Sequence, residues 1–232
     1  MTLTTDAPNP ATAPAPPRRD RSWIALAAGV AFVVGVTFTF SYLMRASFQP
    51  SAPHAFDTAF ADNFDRRSND AGLGTTASGY AWTSVAGLWA IDAGKATVSY
   101  PDKATSIAIV GSVKYAGVLA KVSGRADCGI LARYVDPQNY IALVRAFKYG
   151  VWNLVSVEHG TETVLAKLPD VKSAGVTVKL ETGHRVVTAY VADQSTTVIL
   201  PTTTTAAPVG FVAHGGAATA CAWDDLWVYT GK

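Results

Sequence analysis

The sequence predicts an all-β domain, a sandwich or a barrel, that follows one N-terminal transmembrane helix. The helix is indicated by an uncharged segment, residues 23–44, that begins shortly after a cluster of arginines. The β domain is indicated by short runs rich in Val, Ile, Leu and Tyr, which alternate with Gly, Asp, Asn, Pro and Thr from Ala104 onward. After residue 45 the sequence contains no apolar stripe of helical period with capping residues.

The apolar segment is long enough to cross a membrane. As a helix, residues 23–44 would rise roughly 33 Å, and the hydrocarbon core of a bilayer is about 30 Å thick. Arginines stand on both sides of the segment, with Arg18, Arg19 and Arg21 before it and Arg45 after it. The positive-inside rule therefore predicts a single-pass membrane protein with a cytosolic N-terminus and an extracytoplasmic C-terminal domain.

A cleaved secretory signal is the alternative for this segment. The apolar stretch of such a signal is only about 7–15 residues long and ends in an A-x-A-like site. Cleavage after Ala46 would place Met44 three positions before the cut, and cleavage after Ala55 would place Pro53 there. Both sites fit poorly, so we expect an uncleaved signal-anchor helix with the lipid bilayer as its partner.

Composition divides the chain into four parts. Residues 1–22 are rich in Pro, Ala and Thr and predict a disordered cytosolic tail, because they cannot bury enough apolar surface to order themselves. The signal-anchor helix occupies residues 23–44, and residues 45–55 read as a linker that contains proline. Residues 56–232 remain for the domain, which is a normal size for one all-β core.

The predicted domain is electrically neutral. The whole chain has 19 Lys and Arg against 17 Asp and Glu, and four of the Arg and two of the Asp lie before Ala46, which leaves fifteen of each sign after it. A nucleic-acid-binding domain needs a basic face, so we expect no nucleic acid as a partner. The same balance argues against broad contact with anionic lipid.

Strand patterns fill the second half of the chain. In residues 177–181, Thr-Val-Lys-Leu-Glu, polar and apolar side chains alternate strictly, which predicts a strand with one wet face. The predicted strands are Ser106–Ser112, Gly117–Val122, Gly129–Val135, Tyr140–Phe147, Trp152–Glu158, Thr163–Lys167, Val176–Glu181, Arg185–Val191, Thr197–Leu200, Gly210–His214 and Ala222–Tyr229.

The two cysteines, Cys128 and Cys221, are far apart in the sequence. An oxidising exterior permits a disulfide, which would stabilise the fold by roughly 4 kcal/mol in the chain-entropy account. Two buried thiols are the alternative, because free cysteine packs as a small hydrophobic residue. The histidines are dispersed and no C-x-x-C occurs, so no zinc-type pattern is present.

Several motifs in order give the domain a family resemblance. They are an F-x-D-x-F run, then L-G, G-x-x-W and G-x-W-x-I, then two central strand runs and an aromatic ending: Phe60–Arg66, Leu73–Ile91, Gly129–Tyr134, Asn139–Leu143, Val209–Ala213 and Ala222–Val228. This order resembles concanavalin A-like, laminin G-like jelly-roll modules of the kind found in bacterial surface and phage tail proteins. The resemblance implies an antiparallel two-sheet jelly-roll sandwich in which Trp82 and Trp89 are core residues. A fold of this kind hosts many functions.

The resemblance also suggests where a metal could bind. In glycosidase relatives of this fold, an aspartate near the last strand can help to hold a structural calcium. Asp62 and Asp224 are the metal candidates that follow from this. Calcium needs six to eight oxygen ligands and these two side chains supply few, so we otherwise expect no cofactor.

Catalysis is not expected. Glycosidases of this fold carry an E-x-D-x-x-E pattern, whereas the only glutamates of the predicted domain are Glu158, Glu162 and Glu181. Glu158 and Glu162 have no aspartate between them and straddle a predicted turn. No G-x-S-x-G, Walker-type or H-E-x-x-H motif is present.

Recognition of a ligand is the remaining expectation. Jelly rolls of this type often bind glycans, and a sugar site needs aromatic faces and polar side chains. Alternation on adjacent predicted strands places Arg133 and Arg145 on one exposed face, with Tyr149 and Trp152 beside it. The alternative is that the arginines pair with carboxylates while Trp152 packs inside.

The leading hypothesis is therefore a membrane-anchored extracytoplasmic module that binds a glycan or an envelope protein without catalysis. A structural or assembly protein of a virion or cell envelope is one alternative. A divergent glycoside hydrolase, dependent on Glu158 or Glu181, is the other.

Overall fold

The computed structural model describes residues 57–102, 104–203 and 205–230. The predicted tail, anchor helix and linker, residues 1–55, lie outside the described residues. Within the described ranges, no helix has the length and apolar character needed to cross a membrane.

The described chain is built almost entirely from strands, as the sequence predicts. It forms fifteen β-strands, and two short 3-10 turns at Phe147–Tyr149 and Gly216–Ala220 are the helical elements within residues 57–230 that the structure describes. The strands are β1 Asp57–Asp62, β2 Trp82–Ala86, β3 Leu88–Asp92, β4 Lys95–Tyr100, β5 Thr105–Val113, β6 Ala116–Gly124, β7 Cys128–Asp136, β8 Asn139–Ala146, β9 Val151–Glu158, β10 Thr161–Pro169, β11 Gly175–Thr182, β12 Val186–Val191, β13 Gln194–Ile199, β14 Ala207–His214 and β15 Cys221–Thr230.

The strands pair antiparallel in two sheets, which confirms the predicted sandwich. The seven-stranded sheet has the order β10-β9-β8-β7-β14-β5-β2. The eight-stranded sheet has the order β13-β12-β11-β6-β15-β4-β3, and β1 also pairs with β15. Strands from distant parts of the sequence are therefore neighbours, as in the pairing of β6 with both β11 and β15.

The core between the sheets is centred on aromatic rings. Phe211 stacks on Trp223 with ring centroids 5.3 Å apart and on Trp82 at 4.9 Å. Trp89 is buried and lies 5.0 Å from Trp223. Trp89 thus lies in the core and Trp82 packs against it, as the resemblance implies.

The outer side of the central strands of the seven-stranded sheet is also apolar and buried. Along β7, Leu131 alternates with the core residues Ile130 and Ala132, and it belongs to a second apolar cluster with Ala142 and Val155 of the neighbouring strands. Alternation places this cluster on the side turned away from the main core. The central strands of this sheet are therefore buried on both sides and have no polar, solvent-exposed face.

The outer face of the eight-stranded sheet is polar. In β11 the core residues Val178 and Leu180 alternate with Thr177, Lys179 and Glu181, which are exposed or half-buried. The alternation in the sequence correctly predicts this wet face.

A disulfide joins the two sheets. Cys128 at the start of β7 is bonded to Cys221 at the start of β15, with a Cα–Cα distance of 6.0 Å and a sequence separation of 93 residues. Because β7 and β15 belong to different sheets, the bond fixes one end of the sandwich.

Candidate functional site

The structure buries two of the four residues predicted to bind a ligand. Arg145 is 7 % exposed and donates from Nε and Nη2 to Oδ2 of Asp170, at 2.9 and 2.6 Å, and from Nη1 to the carbonyl of Gly124. Trp152 is 0 % exposed and donates from Nε1 to Oδ1 of Asp170. The interpretation that Arg145 projects from an exposed face with Trp152 beside it is wrong; the alternative, an arginine paired with a carboxylate and Trp152 packed inside, describes both residues. A buried guanidinium requires a paired carboxylate, and Asp170 supplies it.

The other two predicted residues are accessible but are not brought together. Arg133 in β7 is half-buried and donates to the Thr202 hydroxyl at 3.2 Å and to the Thr203 carbonyl at 2.9 Å. Burial lowers the pKa of Arg133, with a smaller opposing effect from the charge of Glu158. Tyr149 is 74 % exposed and follows the far end of β8. Since Arg133 lies near the start of β8, these two side chains form no common site.

Asp62 serves the fold and does not fit a calcium site. Its Oδ1 accepts the Phe64 N–H and Arg66 Nη1, and its Oδ2 accepts Arg66 Nη2 and Trp82 Nε1. These four donors use the roughly four lone-pair positions of a carboxylate. Asp224 is half-exposed and accepts the N–H of the next residue. In the part of the chain that the structure describes, no group of three or more His, Cys, Asp or Glu could hold a metal ion.

A cavity of about 510 Å³ opens at one end of the polar face. Four neighbouring strands of the eight-stranded sheet contribute to it. β6 and β12 begin at this end of the sheet, and β11 and β15 end there. Ligand sites in proteins typically have volumes of about 300–1,000 Å³. We call the cavity the Glu181 pocket, and its walls include Tyr115, Gly117, Glu181, His184, Thr188 and Tyr229.

Three donors hold the Glu181 carboxylate. Tyr229 donates its hydroxyl to Oε1 at 2.9 Å, and Tyr190 donates to Oε2 at 2.8 Å. Lys179 Nζ lies 2.9 Å from Oε1 and also 3.8 Å from the centroid of the Tyr190 ring. The carboxylate is therefore fixed in orientation and balanced by one positive charge.

These contacts determine the protonation of the pocket. Burial is the largest influence on Glu181 and would raise its pKa, but the hydrogen bonds from Lys179, Tyr190 and Tyr229 together outweigh it, so the pKa is lowered. Burial, followed by the hydrogen bond to Glu181, raises the pKa of Tyr190 to about 12 and also raises that of Tyr229. At neutral pH the pocket therefore contains an ionised carboxylate and protonated phenols.

Cross-strand register brings the pocket residues into one row. Tyr229 of β15 is opposite Gly117 of β6, and Gly117 is opposite Glu181 of β11, which in turn is opposite Thr188 of β12. A Cβ atom built on Gly117 would overlap the Tyr229 ring, so only glycine lets this ring cross β6 towards Glu181. At the rim, Nδ1 of His184 lies 3.4 Å from the Tyr115 hydroxyl.

The pocket offers hydroxyl, carboxylate and imidazole groups above an apolar floor. Glu181 is the one acidic side chain on its described wall. Nothing in the sequence singles out Tyr190 or Tyr229 as its partners, because they come from strands 9 and 48 residues away. The available signal is the alternation in β11, which places Lys179 and Glu181 on the wet face.

Comparison with protein-family models and with curated proteins finds no match for this chain. Among solved structures, a β-glucanase of Bacillus licheniformis is 11 % identical and superposes with a TM-score of 0.51 over 76 % of this chain and 99 % of that chain. A mutant of the GH43 protein BlXynB, also from Bacillus licheniformis, is 16 % identical with a TM-score of 0.51 over 79 % of this chain. This chain spans only 41 % of the GH43 protein.

The domain has a concanavalin A-like jelly-roll fold. The carbohydrate-binding module CBM66 of Bacillus subtilis is a further match, 16 % identical, with a TM-score of 0.48 over 65 % of this chain and 92 % of that chain. The β-glucanase and the GH43 protein, at 11 and 16 % identity, share the fold of this chain, and a shared fold does not transfer an activity. The function of this jelly roll therefore has to be argued from its own residues.

Proposed function

We propose that the jelly roll is a glycan-binding module and that the Glu181 pocket holds a sugar unit without cleaving it. The observation that carries this proposal is the fixed, ionised Glu181 carboxylate inside an open cavity of about 510 Å³. A carboxylate in such a position accepts hydrogen bonds from ligand hydroxyls.

The carboxylate has capacity left for a ligand. Glu181 has about four lone-pair positions. Oε1 accepts from Tyr229 and Lys179, whereas Oε2 accepts from Tyr190. One position on Oε2 therefore remains for a sugar hydroxyl, while His184 and Thr188 supply further polar atoms on the wall.

The same geometry supports binding without hydrolysis. Glycoside hydrolysis uses two carboxyl groups, about 5–5.5 Å apart in retaining enzymes and about 6.5–9.5 Å apart in inverting ones. Glu181 has no second carboxyl group beside it on the described wall of the pocket. A divergent glycoside hydrolase remains the alternative, since the β-glucanase and the GH43 protein share this fold.

We further propose that the module works outside a membrane, anchored through residues 23–44. The support is the length of the uncharged segment and the arginines before it. Fractionation of cells should place the full chain in the membrane pellet after a carbonate wash. Protease added outside should then remove the jelly roll from intact cells, and release of an intact chain by carbonate would contradict the anchor.

Glycan binding is tested on an array with the purified full-length chain in mild detergent, with and without calcium. We expect selective binding that Glu181→Gln reduces at least about tenfold, because a charge-assisted hydrogen bond contributes about 1.5–3 kcal/mol. Glu158→Gln, which changes a carboxylate outside the pocket, is the matched control and should bind normally.

Three other outcomes would change the proposal. Binding unaffected by Glu181→Gln would place the glycan elsewhere on the domain. Silence across the array would favour an envelope-protein partner or a structural role. Release of reducing ends from the bound glycan, abolished by Glu181→Gln, would establish a hydrolase.

A further inference from the structure

A half-exposed tryptophan lies next to the Glu181 pocket. Trp227 of β15 is 50 % exposed and stands two residues before Tyr229 on the outer face of the eight-stranded sheet. Residues two apart on a strand point to the same side and are separated by roughly 7 Å. The Trp227 side chain therefore begins about one sugar unit away from the wall of the pocket.

A β-bulge turns Trp227 outward. In an uninterrupted strand Trp223 and Trp227 would share a face, because side chains repeat every two residues. Trp223 is fully buried in the core, and Leu226 and Val228 are buried there too. The register with β6 shifts between Asp224 and Trp227, which reverses the alternation. Bulges of this kind commonly re-aim a side chain beside a functional site.

The other aromatic rings of this face are already covered. The Tyr190 ring carries Lys179 Nζ at 3.8 Å, and Tyr229 is only 8 % exposed. Among the described aromatic residues of β6, β11, β12 and β15, the strands around the pocket, Trp227 has the most exposed ring. Its neighbour across the strand pair is Leu119, which extends the apolar floor towards Lys179.

We infer that Trp227 is the stacking platform for a second sugar unit, so that the ligand is a neutral oligosaccharide with one unit in the Glu181 pocket. This inference rests on the proposed glycan binding. The C–H face of a pyranose or furanose ring packs on an indole face, and the exposed edge of the indole can donate to a hydroxyl. Neutrality follows from the ion pair of Lys179 with Glu181, which balances the charge of the pocket carboxylate.

The test uses homologous series of glucose, xylose, mannose, galactose and fructose oligomers, from one to six units, immobilised on one array. For the series that binds, the full-length wild-type chain should gain affinity from one to two or three units. Trp227→Ala should lower the affinity for two or three units roughly tenfold and leave the affinity for the single unit unchanged. Trp227→Phe should restore part of the gain because it keeps an aromatic face.

Tyr100→Ala is the matched control, since Tyr100 is 70 % exposed at the end of β4 and is not among the residues that line the pocket. It should bind like the wild type. Affinity that is independent of chain length, or a gain that survives Trp227→Ala, would overturn the stacking platform while leaving the pocket intact. Absence of binding by every series would overturn the proposed function itself, and the inference with it.

Discussion

The Tyr229 ring lies across the backbone of Gly117 and delivers its hydroxyl to Oε1 of Glu181 at 2.9 Å. Tyr229 and Glu181 are on strands that each flank β6, so the ring has to bridge the strand between them. The missing side chain at Gly117 provides the space. A residue without functional groups thus determines whether the pocket can form.

Replacing Gly117 should therefore damage both stability and binding. Gly117→Ala places a methyl group in the volume of the Tyr229 ring, and overpacking of this kind destabilises by about 1–3 kcal/mol. Urea denaturation and glycan affinity should both show the loss. Gly216→Ala is the control, because a Cβ there meets no atom within 4 Å, and a comparable loss in that variant would refute this explanation.

Stability should depend on pH through Glu181. Its pKa is lowered below the ordinary value of 4.5, so its contribution to folding is present above that value and is lost as the pH falls through the folded pKa. Urea midpoints measured from pH 7 to pH 3 should fall more steeply for the wild type than for Glu181→Gln. Parallel curves for the two proteins would show that Glu181 is not responsible.

Changing Arg145 to alanine should reduce the stability of the domain far more than changing Arg133 to alanine. Arg145→Ala leaves the Asp170 carboxylate without its cation in a buried site, which costs about 3–5 kcal/mol. Arg133→Ala removes hydrogen bonds to a surface loop and should change stability by about 0.5 kcal/mol or less. Thermal and chemical denaturation of both variants distinguishes the two roles, and equal losses would contradict the assignment of Arg145 to the core.

The disulfide should be detectable in solution. Thiol labelling of the unfolded, unreduced chain should find no free thiol, because Cys128 and Cys221 are the two cysteines of the sequence. Reduction should lower the free energy of unfolding by roughly 4 kcal/mol. A Cys128→Ser, Cys221→Ser double variant should be insensitive to reductant, and labelling of two thiols in the wild type would disprove the bond.

Most strands could be predicted because their signal is local. The run Thr177–Glu181 alternates in the sequence and alternates in burial, and the strand predicted at Gly129–Val135 lies within β7. Boundaries were less accurate where pairing extends a strand beyond its apolar run, as in β10, which reaches Pro169 instead of the predicted Lys167. β13 lies earlier than predicted because polar residues such as Gln194 pair across a hairpin with β12.

The site could not be predicted in the same way. Alternation assigns Arg145 to one side of β8, but the sequence does not show that both sides of this strand are buried. The partner of Arg145 is Asp170, 25 residues away in a loop after β10. Likewise, Trp227 has the same parity as the core residue Trp223, and only the bulge places it outside. Pairings between distant strands determined these positions.

The disulfide also governs how the domain would respond to tension. The chain between Cys128 and Cys221 cannot lengthen while the bond holds, and it contains β7 to β14. Glu181 lies inside this closed loop, whereas Gly117 and Tyr229 lie outside it. A pull that peels β1 from β15 would reach the strand of Tyr229 first, while the closed loop stays short. The Glu181 pocket is therefore assembled from one part of the chain that tension can extend and another that the disulfide holds short, so tension would break the Tyr229–Glu181 contact before it opened the closed loop.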